Sequence, residues 1–152
     1  MSNYTGMMKM MAKQEDGSYM LAYPISKDAK IPLIDAGSDM GLFVKAAIKH
    51  QSKVPETKSS LRPIAATDYY TPEQIISKFT EVTGKKANYV QITAEVSKSF
   101  CPAPMADEML DNRLFLESPG YYAGRSLEGS HALLDAKPTC WKDFVKSHIA
   151  EF

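Results

Sequence analysis

The sequence is poor in the residues that build covalently stapled or metal-held folds. Cys101 and Cys140 are the only cysteines in 152 residues. Neither sits at Cys-x-x-Cys or Cys/His ligand spacing, which removes the basis for a disulfide framework or a zinc module. Histidine occurs three times, and His50, His131 and His148 have no Cys, Asp or Glu at ligand spacing, so no metal is expected. Net charge is missing too, since 18 Lys and Arg balance 18 Asp and Glu. Without a basic stripe, direct nucleic-acid binding is not expected. Near-neutrality also removes a brake on self-association. No apolar run approaches the ~18 residues that a membrane span requires. Lys9 and Lys13 interrupt the apolar stretch at the start, and no small-residue cleavage site follows it. A cytoplasmic protein with reduced thiols and no membrane partner is the expectation.

Catalytic signatures are equally scarce. Neither G-x-G-x-x-G nor G-x-x-x-x-G-K-S/T is present. The nearest glycine cluster, "GYYAGRSLEG", follows a helical pattern rather than a strand, the wrong place to seat a pyrophosphate at a helix N-terminus. No G-x-S-x-G elbow exists to host a hydrolytic triad. Tyr23 and Lys27 in "YPISK" match the Tyr-x-x-x-Lys spacing of short-chain dehydrogenases, but Pro24 biases Tyr23 away from helix, so the pair is read as a chance match at a strand end.

What is present reads as one α/β domain over residues 1–152, long enough to bury roughly two thirds of its unfolded surface. Met7, Met8 and Met11, with Tyr4 one turn earlier, predict a pliable helical face. "GSYMLAYPI" (17–25) predicts a strand after the Asp16-Gly17 turn, and "KIPLID" (30–35) a second extended piece. A helix capped by Ser38 or Asp39 follows, with Met40, Phe43, Val44, Ala47 and Ile48 as its apolar stripe. Residues 64–67 predict a strand. Thr71 and Gln74 then form a capping box, Pro72 takes the first helical position, Ile75, Ile76, Phe79 and Val82 face inward, and Gly84 ends the helix. "ANYVQIT" (87–93) alternates as a strand does, which predicts a βαβ unit with a parallel pair. A helix from about Met105 carries Met109, Leu110, Phe115 and Leu116. A last helix, capped by Thr139, carries Trp141, Phe144, Val145, His148 and Ile149.

The aromatic residues are the candidates for a site. Tyr69, Tyr70, Tyr121, Tyr122 and Phe115, together with the Tyr4, Met7 and Met8 face, have the composition of an apolar small-molecule pocket with phenolic hydrogen-bonding groups. The same residues would equally serve as core and rim of an ordinary fold.

Four stretches in order carry a family resemblance. "PLIDAGSDMGLFVKAAIKH" holds Asp35, Asp39, Gly41 and Val44 in a "D…D-G-x-x-V" pattern. "TPEQIISKFTEVTGKKANYVQIT" is a strand-helix-strand piece. "GYY" and "KPTCWKDFVKSH" follow, and "MSNY" opens the chain with Asn3 and Tyr4. Together these resemble the NmrA-like family of atypical short-chain dehydrogenases over nearly the whole chain. The resemblance implies a small mixed or partly parallel sheet with four to five helices, the C-terminal lobe of a Rossmann-type protein without its dinucleotide-binding half. It implies that the Met7–Met11 segment lies inside the protein, as core or pocket, and that Asn3 joins the ligand-contacting set. It implies a binding or regulatory role with a small hydrophobic molecule, no cofactor of its own, and NADP only if an N-terminal half is missing from this chain. Strands that normally pair with absent ones leave open edges, which predicts a homodimer. Two other readings stay open. One is a cofactor-independent isomerase or cyclase using tyrosines and Asp35, Asp39 or Asp68 as acid-base groups. The other is a fragment of a complete NAD(P)-binding regulator or oxidoreductase.

Overall fold

A computed structural model describes residues 1–5, 10–51 and 62–152. Among the described residues five strands fall into two small sheets. In the first, β1 (Met11–Lys13) pairs antiparallel with β2 (Tyr19–Tyr23). The hairpin is turned by Gly17 at φ 80° and held by Asp16, whose Oδ1 accepts from both the amide and the hydroxyl of Ser18. Strand pairing thus claims Met11, where the methionine spacing predicted helix, and the two other helical methionines, Met7 and Met8, lie outside the described residues. In the second sheet, β3 (Ile31–Leu33) pairs antiparallel with β4 (Asp68–Tyr70). The expected strand at 64–67 begins later, at Asp68, because only from there does the chain enter the ladder opposite Leu33.

The helix α1 (Ala36–Lys49) connects the second sheet to residues further on. Its N-cap is Asp35, with no side-chain cap, rather than Ser38 or Asp39. Asp39 is buried and accepts from the Thr139 amide at 2.8 Å and the Thr139 hydroxyl at 3.0 Å, a tie across 100 residues. That tie, with Lys45 and Lys49 both on Asp135, turns Asp39, Phe43 and Ala46 inward. Of the expected stripe Phe43 is buried, whereas Met40, Val44 and Ile48 are turned outward, 40%, 52% and 75% exposed.

The helix α2 (Pro72–Thr83) is built as its sequence states. Thr71 Oγ1 accepts from the Gln74 amide, Gln74 returns to the Thr71 amide, and Gly84 takes the left-handed conformation at φ 69°. Ile75 and Phe79 are fully buried, with Phe79 on Tyr19 of β2 at a centroid distance of 5.0 Å. After α2 the chain enters β5 (Ala87–Gln91), which pairs in parallel with β2, Tyr19 opposite Ala87 and Tyr23 opposite Gln91. The parallel pair exists, but it is not between the strands that flank α2. β4 belongs to the other sheet.

Two short helices escape the sequence pattern. One is α3 (Ala94–Ser99), capped by Thr93. The other is the single turn α5 (Glu128–His131) in the glycine-rich loop. Between them lies α4 (Ala103–Phe115). With α6 (Trp141–Ser147) this makes six helices among the described residues. The N-cap of α6 is Cys140, because Thr139 is spent on Asp39. Trp141, Phe144 and Val145 close the core against α2, and the Trp141 indole donates to Ile75 O at 2.9 Å. His148 stacks on Phe144 at 4.1 Å as a packing residue, while Ile149 is exposed. Among the described residues no helix is long and apolar enough to cross a membrane, and no three His, Cys, Asp or Glu side chains cluster to hold a metal.

Candidate functional site

A cavity of about 460 Å³ lies where the two sheets fail to join. Four places supply most of its wall, and Met10, Ala65, Tyr121 and Tyr122 add to it. The short 3₁₀ turn Ser2–Tyr4 presents Asn3 and Tyr4, and the Tyr4 ring packs on Trp141 at 4.8 Å. Alternation along β2 buries Tyr19, Leu21 and Tyr23, and Tyr23, at the strand end, reaches the cavity. β3 contributes Ile31 and Leu33. α4 contributes Met109, Asn112, Arg113 and Leu116, at i, i+3, i+4 and i+7, which is one face of a helix. Apolarity at this helical spacing marks Met109 and Leu116 in the sequence but not the polar Asn112 and Arg113 between them. Tyr23 was passed over because only its spacing to Lys27 was weighed. Lys27 lies in a turn beyond the strand and pairs with Glu73 at 3.7 Å.

The electrostatics of this cavity are unusual for an apolar site. Among the described residues Arg113 is its only charged side chain, and the Met1 ammonium, which donates to Ile34 O, stands on the same wall. Arg113 Nη1 donates to Ser97 O at 3.0 Å and Ser97 Oγ at 2.7 Å, and Nη2 touches only the Cys101 sulfur at 3.8 Å. Arg113 Nε is sealed from solvent without a partner, and the Tyr4 hydroxyl is sealed too, with the Tyr23 hydroxyl beside it but not in hydrogen-bond geometry. Burial pushes the Tyr4 phenol well above its ordinary range, and the adjacent Tyr23 adds to it. Burial likewise raises Tyr23 to about 12, against the opposing pull of Tyr4 and of the Arg113 charge. Tyr23 Oη donates to Met10 Sδ at 3.0 Å. Both phenols therefore stay protonated at neutral pH and offer O–H groups rather than phenolates.

A second, larger groove of about 870 Å³ shares the wall formed by Leu116, Tyr121 and Tyr122. Charges of both signs line it, among them Lys30, Asp68, Arg125 and Glu128. His131 stands here with Nε2 donating to Ala66 O at 2.8 Å. Tyr69 Oη donates to Arg125 O at 2.9 Å, which ties β4 to the loop carrying the tyrosine pair.

Of the nine residues singled out in the sequence, the structure brings Asn3, Tyr4, Tyr121 and Tyr122 together on the smaller cavity. Tyr69 lines the larger groove instead. Tyr70 is a core residue whose hydroxyl accepts from the Trp141 amide. Phe115 is on the outside, 45% exposed, edge-on to Tyr121. Met7 and Met8 lie outside the described residues. The three carboxylates weighed for acid-base work are elsewhere. Asp35 caps α1, Asp39 is held by Thr139, and Asp68 faces the larger groove while accepting from the Tyr69 amide.

A dinucleotide needs a receptive helix N-terminus for its pyrophosphate. Three helices here follow strands closely. The start of α1 carries the buried carboxylates of Asp35 and Asp39. The start of α2 is closed by its capping box and by Pro72, which has no amide proton. The start of α3 is closed by Thr93, with Glu95 in its first turn. These residues do not fit a pyrophosphate.

The sequence matches the NmrA-like family over residues 1–145. No curated protein sequence matches it. Solved structures do. NmrA, a negative transcriptional regulator, in complex with NADP is 16% identical, with a TM-score of 0.64 over 93% of this chain and 47% of that one. A trigonal form of NmrA in complex with NAD is 15% identical, with a TM-score of 0.66 over the same shares, 93% and 47%. The Citrobacter sp. triphenylmethane reductase complexed with NADP(H) is 15% identical, with a TM-score of 0.62 over 84% of this chain and 44% of that one. The chain thus spans less than half the length of these three structures and shares the fold of that part. The expected α/β lobe with its small, partly parallel sheet is the architecture observed. This chain belongs to the NmrA-like family.

Proposed function

We propose that the chain is a ligand-binding module that holds a small apolar metabolite in the cavity between β2, β3 and α4. One observation carries the reading: an apolar, partly enclosed space on which a few polar groups converge, the usual make-up of a small-molecule site. The larger groove supports the same purpose less well, because its mixed charges hold water that a hydrophobic guest would have to displace. Binding is favoured over acid-base turnover at this cavity because its phenols are held neutral and none of the weighed carboxylates reaches it. A regulatory role follows if occupancy alters what the module contacts. The homodimer is part of the same proposal, since β1 and β5 each pair on one side only among the described residues.

Native mass spectrometry of the gently purified chain tests this. A retained mass of a few hundred daltons is expected, lost when Ala65→Trp fills the cavity, and present with or without added NADPH. The subunits should count as two copies of 16.9 kDa. A chain that neither retains a guest nor takes up an apolar aromatic probe saturably would overturn the binding reading. A single subunit at micromolar concentration would overturn the dimer.

A further inference from the structure

The cavity carries an unbalanced charge, and that balance points to the class of its guest. The Arg113 guanidinium stays protonated at any physiological pH. It makes no ion pair among the described residues, and each of its contacts is neutral: a carbonyl, a hydroxyl and a sulfur. Both bonds to oxygen come from Nη1. The other edge of the guanidinium, Nε with Nη2, has no oxygen partner, and that edge is the fork that fits a carboxylate with two parallel bonds. On the same cavity, Tyr4 is buried and its hydroxyl is unpartnered. Asn3 and Asn112 add amide groups, and among the described residues no aspartate or glutamate lines the space. The remaining walls are aliphatic and aromatic. A partly buried cation without an anion is costly to keep, and a guest that supplies one recovers that cost. A phosphate or sulfate would bring more hydrated oxygens than this donor set replaces, whereas a carboxylate brings two.

We infer that the cavity takes a small apolar carboxylic acid, its carboxylate paired with the Nε–Nη2 edge of Arg113 and the Tyr4 hydroxyl, sealed groups that a small side-chain movement brings to the guest. This rests on the cavity being a binding site, as proposed above. Trp141 is the chain's only tryptophan and touches the Tyr4 ring, so its fluorescence reports on occupancy.

The test compares 1-naphthoate with its methyl ester, which keeps the ring and the carbonyl but not the charge. Binding to the full chain is followed at neutral pH by Trp141 fluorescence and by calorimetry. The acid is expected to bind about tenfold tighter or more, as a charge-assisted bond does relative to a neutral one. Arg113→Gln should bring the two ligands to similar affinity by weakening only the acid, and Arg113→Lys, which keeps the charge but not the fork, should fall between. The acid-ester comparison on the unaltered chain needs no variant, so an Arg113→Gln chain that fails to fold leaves the test standing. Equal or tighter binding of the ester overturns the inference and leaves the binding site intact. An acid preference that survives Arg113→Gln also overturns it. If neither ligand binds and no other apolar probe does, the cavity reading falls and this inference with it.

Discussion

Replacing Tyr4 with phenylalanine should stabilise the ligand-free chain, which is the reverse of what trimming a core residue normally does. The Tyr4 ring is a structural wedge, buried to 3% exposure and packed on Trp141. Its hydroxyl is a different matter, because it is sealed without a hydrogen bond. An unmade bond on a buried hydroxyl costs about 1–3 kcal/mol, whereas a made one contributes about 1. Tyr4→Phe keeps the ring and deletes the orphan, so a gain of about 1 kcal/mol is expected, or roughly 2–4 °C in Tm for a chain of this size. Urea unfolding followed by Trp141 fluorescence measures it. The same substitution should weaken binding of 1-naphthoate, because the hydroxyl is spare only while the cavity is empty. A loss of about 1 kcal/mol or more in the ligand-free chain would refute the reasoning. It would mean that the hydroxyl is bonded, with the neighbouring Tyr23 oxygen as the natural acceptor.

Two further outcomes follow from the same geometry. Asp39→Ala removes two charge-assisted bonds to Thr139, at 2.8 and 3.0 Å, from a buried position. A loss of about 2–4 kcal/mol is expected, or roughly 5–15 °C in Tm by thermal unfolding, and a change within 0.5 kcal/mol, about the scatter of surface substitutions, would show that the tie is idle. The tyrosines set an alkaline limit. Tyr23 and Tyr89 are both raised to about 12, mainly by burial, and burial also holds Tyr4 well above its ordinary value. A phenol whose folded pKa lies above its unfolded value near 10 favours the folded state below pH 10, and that contribution disappears as pH rises through about 12. Absorbance at 295 nm should therefore show only part of the eight tyrosines ionising at pH 11. The rest should follow together with loss of the fold. Ionisation of all eight near pH 10 with the fold intact would contradict this.

Local signals in the sequence were legible and long-range ones were not. Thr71, Pro72, Gln74 and Gly84 each act within one helical turn, so α2 was delimited correctly from residues alone. Asp39 looked like a cap by the same local logic, yet its carboxylate is used by Thr139, and no local rule anticipates that. The outward rotation of Met40, Val44 and Ile48 has the same origin, since periodicity gives the width of an apolar stripe but not the direction in which tertiary ties turn it. Alternation identified β2 and β5, but their partners depend on chain paths across more than sixty residues. The site was half readable. Asn3, Tyr4, Tyr121 and Tyr122 were found because aromatic pairs and the family resemblance both mark them. Arg113 was missed because a charged residue on a weakly apolar helix reads as solvated surface.

That weakness of α4 is also what keeps the cavity open. Among the buried residues of the core, α4 supplies only Leu110. The helix is held in place by polar ties at its flanks: Arg113 on Ser97, Lys98 on Asp107, and Glu117 accepting from the Ser26 amide. A helix drawn inward by a full apolar stripe would have collapsed onto β2 and β3 and filled the gap with side chains, since interiors pack to the density of organic crystals. Here α4 instead turns Met109, Asn112, Arg113 and Leu116 toward a space that it borders but does not fill. Arg113 does two jobs with opposite edges of one group. Its Nη1 edge fixes α4 to α3 through Ser97, and its Nε edge is left over inside the cavity wall. If the cavity takes an acid as proposed, the charge that secures the wall is also the charge that selects the guest, and position 113 couples the shape of the cavity to its chemistry.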